Sequence, residues 1–128
     1  MHSVGVDIGG TKIAGGVVAD DGTIVEYLRV STPERPDELA DAVAVMVRDL
    51  ASRHEVRTVG VAAAGFIDAT RSIIVHAPNI DWHNEPLRAE LEARIGRSVT
   101  LENDANAAGW GEFRFGAGQG STNLVMLT

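Results

Sequence analysis

Residues 4–30 read VGVDIGGTKIAGGVVADDGTIVEYLRV, and this stretch decides the fold. Val4, Val6 and Ile8 alternate with small or polar residues, the period-2 pattern of a strand. The pattern stops at Gly9-Gly10. Ile13 to Ala19 is a second apolar run, whose Gly15-Gly16 pair predicts a close neighbour against the backbone. Asp20-Asp21-Gly22 is a turn signal between apolar runs. Thr23 to Val30 follows as a third strand, with Ile24, Val25, Tyr27, Leu28 and Val30. The chain therefore opens as a three-stranded antiparallel meander.

Beyond it the periodicity changes. Pro33 and Pro36 punctuate a loop. Leu39, Val43, Met46, Val47 and Leu50 share one helical face, which predicts a helix from Asp37 or Glu38 to about His54. Residues 58–64, TVGVAAA, are apolar on both faces, as a central parallel strand requires, and Gly65 ends them. Ser72 to His76 reads as a small strand before the loop Ala77-Pro78-Asn79-Ile80-Asp81-Trp82. Leu87, Leu91 and Ile95 mark a second helix with Gly96 as its cap. The charges from Arg88 to Arg97 form its solvated face, with i,i+4 pairs such as Glu90–Arg94. Val99 to Leu101 is another strand, and Asn103 or Asp104 caps a third helix running to about Phe115. Gly116 to Gly120 reads as flexible, and Asn123 to Leu127 as one more strand. This is an α/β order: a mixed sheet opened by an antiparallel meander, with helices on both faces. It is the layout of the ribonuclease H-like, actin-like ATPase fold, whose domains come in pairs with nucleotide between two lobes.

The 128 residues suffice for one core. Eleven basic side chains against 18 acidic ones give a net charge of −7, without a basic run. That argues against nucleic-acid and membrane-surface partners. The absence of cysteine excludes disulfides and fits a reducing compartment. No basic segment leads into a long apolar run at the start, so a cytoplasmic location is expected. The histidines show no metal-ligand spacing.

Three constellations carry chemistry. Asp7-Ile8-Gly9-Gly10-Thr11-Lys12 places a carboxylate, two glycines, a hydroxyl and a cation around one turn. Such a turn brings backbone N–H groups to phosphate oxygens, and Asp7 could orient hydrated Mg2+. The plain alternative is a tight hairpin. Glu102-Asn103-Asp104-Ala105-Asn106 sits where a strand gives way to a helix, at the sheet edge where ligands bind in α/β folds. One side chain suffices for a cap, so three polar side chains on one turn suggest hydroxyl recognition. Gly65 and the Asn79 loop form the third, with Trp82 either walling a sugar pocket or covering the core.

Together, and in this order, these motifs resemble the ROK family (repressors, open reading frames and kinases). Val6 to Lys12 is similar to the family's first phosphate motif, Glu102 to Ala108 to its catalytic motif, and the Asn79 loop to its sugar loop. Ala77 to Trp82 and Glu102 to Glu112 look most like the bacterial glucokinase branch. The resemblance implies ATP-dependent phosphorylation of glucose, or a related hexose, at the 6-hydroxyl. Asp104 would be the catalytic base. Gly65, Asn79, Asn103 and Asp104 would contact the sugar, and Asp7, Gly9, Gly10, Thr11 and Lys12 the ATP phosphates and Mg2+. Residues 1–120 would be the small lobe of a two-lobed, homo-oligomeric kinase, and residues 121–128 the first strand of the next lobe. A structural zinc and the second phosphate motif would lie in that later lobe, so the chain alone is expected to be inactive. The alternatives are another ROK kinase, acting on fructose, N-acetylmannosamine or N-acetylglucosamine, a ROK sugar-sensing repressor, and an actin-like ATPase.

Overall fold

The structure, a computed structural model, describes residues 1–127. Strands β1 (His2–Ile8), β2 (Lys12–Ala19) and β3 (Ile24–Ser31) precede helix α1 (Pro36–Arg53) and strand β4 (Val56–Ala63). Short strands β5 (Phe66–Ile67), β6 (Ile74–His76) and β7 (His83–Glu85) follow, then α2 (Leu87–Ile95), β8 (Val99–Asn103) and α3 (Asp104–Phe115). The main sheet has the order β3-β2-β1-β4-β8, and β5-β6-β7 form a small second sheet. β1, β2 and β3 pair antiparallel, as the meander predicts. β4 lies between β1 and β8 and is parallel to both, which its two-sided apolar run predicts. No described helix is long and apolar enough to cross a membrane.

Strand alternation splits the sheet into two unlike faces. Val4, Val6, Ile8, Ile13, Val17, Val59, Val61, Val99 and Leu101 point to one side and are buried. Helix α1 presents Leu39, Val43, Met46, Val47 and Leu50 to them, all buried, so the predicted stripe is the packed one. A Cβ built at Gly15 would overlap the Met46 sulfur, and one at Gly16 would lie 2.9 Å from the Glu26 carbonyl. The two glycines therefore let α1 and β3 approach the β2 backbone. On the opposite side Gly5 and Gly60 face open space. There α3 borders a trough of about 1190 Å³ floored by Gly5, Gly60, Ala62 and Thr100.

Several local expectations are corrected. Helix α1 begins at Pro36, not at Asp37 or Glu38. Proline fits the first helical position because its missing N–H would have no partner there. Arg94 does not pair with the Glu90 carboxylate. Its Nε reaches Asp41 on α1 at 2.7 Å, while its Nη1 donates to the Glu90 carbonyl. The charge thus braces two helices instead of decorating one. Gly96 does cap α2, at φ 75°. The strands β5 and β7 were missed because two or three residues carry no readable period. The strand expected over Asn123 to Leu127 does not form: residues 121–127 join no ladder. A strand needs a hydrogen-bonding partner, and this segment instead runs beside α3. A Cβ at Gly109 would touch Met126 and Leu124 at 3.6 to 4.0 Å. Thr128, the last residue of the expected next-lobe segment, lies outside the described residues.

Trp82 is fully buried in the core and its Nε1 has no hydrogen-bond partner among the described residues. It anchors the underside of the 77–82 loop and walls no sugar pocket. Trp82→Ala should therefore destabilise the chain by about 3–5 kcal/mol in urea unfolding. Trp82→Phe should cost less, because it also removes an unpaired buried N–H. Equal midpoints for Trp82→Ala and the parent would contradict this packing.

Candidate functional site

Ile8, Ala63 and Asn103 are neighbours across three parallel strands, with Ile8 opposite Ala63 and Ala63 opposite Asn103. The chain therefore leaves the sheet at one edge three times. It enters the Gly9–Lys12 turn, the Ala64-Gly65 bend and the first turn of α3 there. Ligands collect at such carboxyl ends of strands.

The first turn is held from both sides. Gly9 N–H donates to the Lys12 carbonyl at 2.9 Å. From the far end of β3, Thr32 Oγ1 donates to the Gly9 carbonyl at 2.8 Å, and Thr32 N–H to the Thr11 carbonyl at 2.9 Å. Gly9 and Gly10 are not among the glycines with positive φ, so tight turning does not explain them both. A Cβ at Gly10 would stand 2.9 Å from the Asn79 Cβ. Glycine is required there because the Asn79 loop packs directly on it. That contact brings Asn79 to the phosphate-type turn, with its exposed amide making no hydrogen bond among the described residues.

Asn103, not Asp104, is the N-cap of α3: its Oδ1 accepts from Asn106 N–H at 3.1 Å. Its Nδ2 donates to the Gly65 carbonyl at 2.8 Å. Both ends of this amide are thus engaged, leaving one N–H and one lone pair for a ligand. Gly65 is itself fixed by packing, since a Cβ there would lie 2.9 Å from the His76 carbonyl. Released from capping, Asp104 occupies the first helical position. One carboxylate oxygen accepts from Ala105 N–H at 2.8 Å, and the other has no donor among the described residues. Asp7 stands close enough to feel it. The Asp7 carboxyl is raised above its ordinary range, first by partial loss of hydration and second by the Asp104 charge. A carboxylate with a raised value at a ligand-binding edge is a common mark of function.

Not all expected residues converge equally. Asp7, Gly9, Gly10, Asn79, Gly65, Asn103 and Asp104 are brought together by the contacts above. Lys12 is exposed and gives its Nζ to Ser31 Oγ at 3.2 Å, one strand away from the turn. Asn106 is exposed, with Nδ2 3.4 Å from Glu102 Oε1. Sequence reasoning named Glu102 only as part of its motif and missed Arg71; the Arg71 Nε–Glu102 Oε2 contact is 2.9 Å. Both line a cleft of about 470 Å³ together with Gly65, Asp68, Asn103 and Asn106. Nothing in the sequence signals Arg71, because its partner lies 31 positions away. Asp7 and Asp104 line the larger trough, which shares Arg71, Glu102 and Asn106 with the cleft, so the two open spaces meet beside the strand-edge turns.

Among the described residues no three His, Cys, Asp or Glu side chains converge as metal ligands. Mg2+ needs less, because it keeps several waters and takes one or two carboxylates alongside substrate phosphates. Asp7 offers one such carboxylate beside the Gly9–Lys12 turn.

Known proteins resemble the chain in sequence and in fold. The chain is 49% identical to a glucokinase of Streptomyces coelicolor over 126 residues, 98% of this chain and 40% of that protein. Its structure resembles the crystal structure of a ROK family glucokinase from Streptomyces griseus in complex with glucose and AMPPNP. There the TM-score is 0.90 at 50% identity, over 94% of this chain and 38% of that one. An inorganic polyphosphate/ATP-glucomannokinase from an Arthrobacter species matches with a TM-score of 0.85 at 42% identity, over 94% and 51% of the two chains. The chain thus spans about 40% of the length of the curated glucokinases it matches. With residues 3–128 matching the family pattern from end to end, this chain belongs to the ROK family.

Proposed function

We propose that residues 1–120 are the small lobe of a cytoplasmic ATP-dependent hexose kinase that phosphorylates glucose at its 6-hydroxyl. One observation carries this reading: Asp104 keeps an unpartnered carboxylate oxygen at the edge that also holds the Gly9–Gly10 turn and Asn79. The glucose and AMPPNP bound by the Streptomyces griseus relative support the choice of substrates.

The chemistry follows from charge and position. Asn79, Asn103 and the Gly65 segment hold hexose hydroxyls, which leaves the 6-hydroxyl to Asp104. As the new O–P bond forms and the bond from phosphorus to ADP breaks, Asp104 takes the hydroxyl proton. Phosphoryl transfer has a loose transition state, so alignment and charge neutralisation do most of the work. Asp7 would hold hydrated Mg2+, which supplies charge neutralisation at the phosphates. Gly10 and Thr11 would offer their backbone N–H groups to the same oxygens, the Gly9 N–H being held by the Lys12 carbonyl.

The edge is short of positive charge. Lys12 is engaged by Ser31, and Arg71 by Glu102. The 128 residues assayed alone should therefore release no ADP above background in a coupled assay, and turnover at the rate of a complete relative would contradict this. In the full-length protein, Asp104→Asn should lower kcat by about 100-fold or more while leaving glucose KM within about threefold. Unchanged kcat would remove Asp104 from the role of base.

The Asp7 shift makes a separate prediction with a definite sign. A carboxyl whose folded-state value is raised binds its proton more tightly when folded, so its charge destabilises the fold at high pH. That penalty is fully present above the raised value and disappears below the ordinary value of about 3.9. Asp7→Asn should raise the thermal midpoint of this chain at pH 7. The difference should vanish near pH 3. A pH-independent difference, or a lower midpoint at pH 7, would contradict the repulsion.

A further inference from the structure

Arg71 is one of two non-glycine residues with positive φ among those described, at 53°. Such a backbone is unfavourable for arginine and persists only where the surroundings enforce it. Here they do. The Asp68 carboxylate accepts from Ser72 N–H at 2.8 Å, Ile73 N–H at 3.0 Å and Thr70 Oγ1 at 2.6 Å. Those bonds, led by the Thr70 hydroxyl, hold its carboxyl at about 2. Arg71 N–H closes the turn on the Asp68 carbonyl at 3.0 Å. Arg88 ties the turn to α2 through the Thr70 and Ser72 carbonyls, both at 3.3 Å.

The left-handed residue aims its guanidinium at Glu102, with Nε 2.9 Å from Oε2. The other oxygen of Glu102 accepts from Asn103 N–H at 2.9 Å and from Asn106 Nδ2 at 3.4 Å. One carboxylate therefore joins the Arg71 turn to the two asparagines that open α3. Among the described residues, Arg71 is also the only basic one lining either the trough or the cleft.

We propose that Arg71 is a positioning residue for hexose binding: through Glu102 it fixes the Asn103–Asn106 turn from which Asn103 meets the sugar. The inference rests on the hexose-kinase reading of that turn. Arg71 acts on Asn103 by holding the Glu102 carboxylate in place, and it need not touch the substrate. A loosened Glu102 lets the Asn103 amide drift, and small misplacements of a positioning group are expensive.

Arg71→Gly tests this with the fold preserved, because glycine adopts φ near 53° without strain. In the full-length protein, this variant should keep or raise the thermal midpoint. Its glucose KM should rise roughly tenfold, with ATP KM within about twofold. Exchange of the Asn103 amide hydrogen should accelerate roughly tenfold, a readout that needs no substrate. In a double-mutant cycle, Arg71→Gly should add little to Glu102→Gln, because both break one link. Additive effects would mean that Arg71 touches substrate directly and would overturn the proposal. So would unchanged Asn103 exchange, unchanged glucose KM, or an equal rise in ATP KM. If instead Asp104→Asn retains full kcat, the kinase reading of Asp104 fails, while the exchange measurement still decides the Arg71–Glu102 link.

Discussion

Three parallel strands that end in register, at Ile8, Ala63 and Asn103, are the constraint on which the site depends. Each strand is fixed along its length by apolar residues on one face that α1 and α2 cover. A slip of one residue in any of them would turn its buried face to solvent. Register is therefore enforced by the core, and the site inherits that precision. The glycine turn, the Gly65 bend and the start of α3 meet because hydrophobic packing leaves the strands no other alignment.

The edge is built at some expense to the fold. Asp7 carries a charge that its surroundings and Asp104 both disfavour. Arg71 holds a backbone conformation that glycine would adopt more readily. Strain and repulsion of this kind concentrate at functional sites, where the rest of the structure compensates. The compensation is visible nearby. Asp68 satisfies three donors around the Arg71 turn, and Glu102 gathers three more beside Asp104.

Much of this was legible in the sequence. The meander, the stripe of α1, the central β4 and the Gly96 cap follow from local periodicity and cap chemistry. The candidate site residues could be named because three motifs, in this order, resemble those of the ROK family; each alone has a plain reading as a hairpin or a helix cap. Their separate jobs could not be read. Asn103 and Asp104 are adjacent and both can cap, and only the bond to Asn106 N–H shows which one does. Trp82 could have lined a pocket or a core, and burial decides for the core. Gly10 suggested a turn, yet its requirement is the approach of Asn79. Arg71 and its link to Glu102 stayed hidden because a contact across 31 positions leaves no local pattern. The segment over 123–127 has strand composition without a strand partner, which shows that pairing is a property of neighbours.

The central claim is that the unpartnered oxygen of Asp104 receives the proton of the hexose 6-hydroxyl. The most direct measurement is a crystal structure of the full-length protein with glucose bound. The account predicts that O6 lies about 2.6–3.2 Å from that oxygen, hydrogen-bond reach for a general base. An O6 turned away from Asp104, beyond about 4 Å, with Asp104 serving only the first turn of α3, would contradict it.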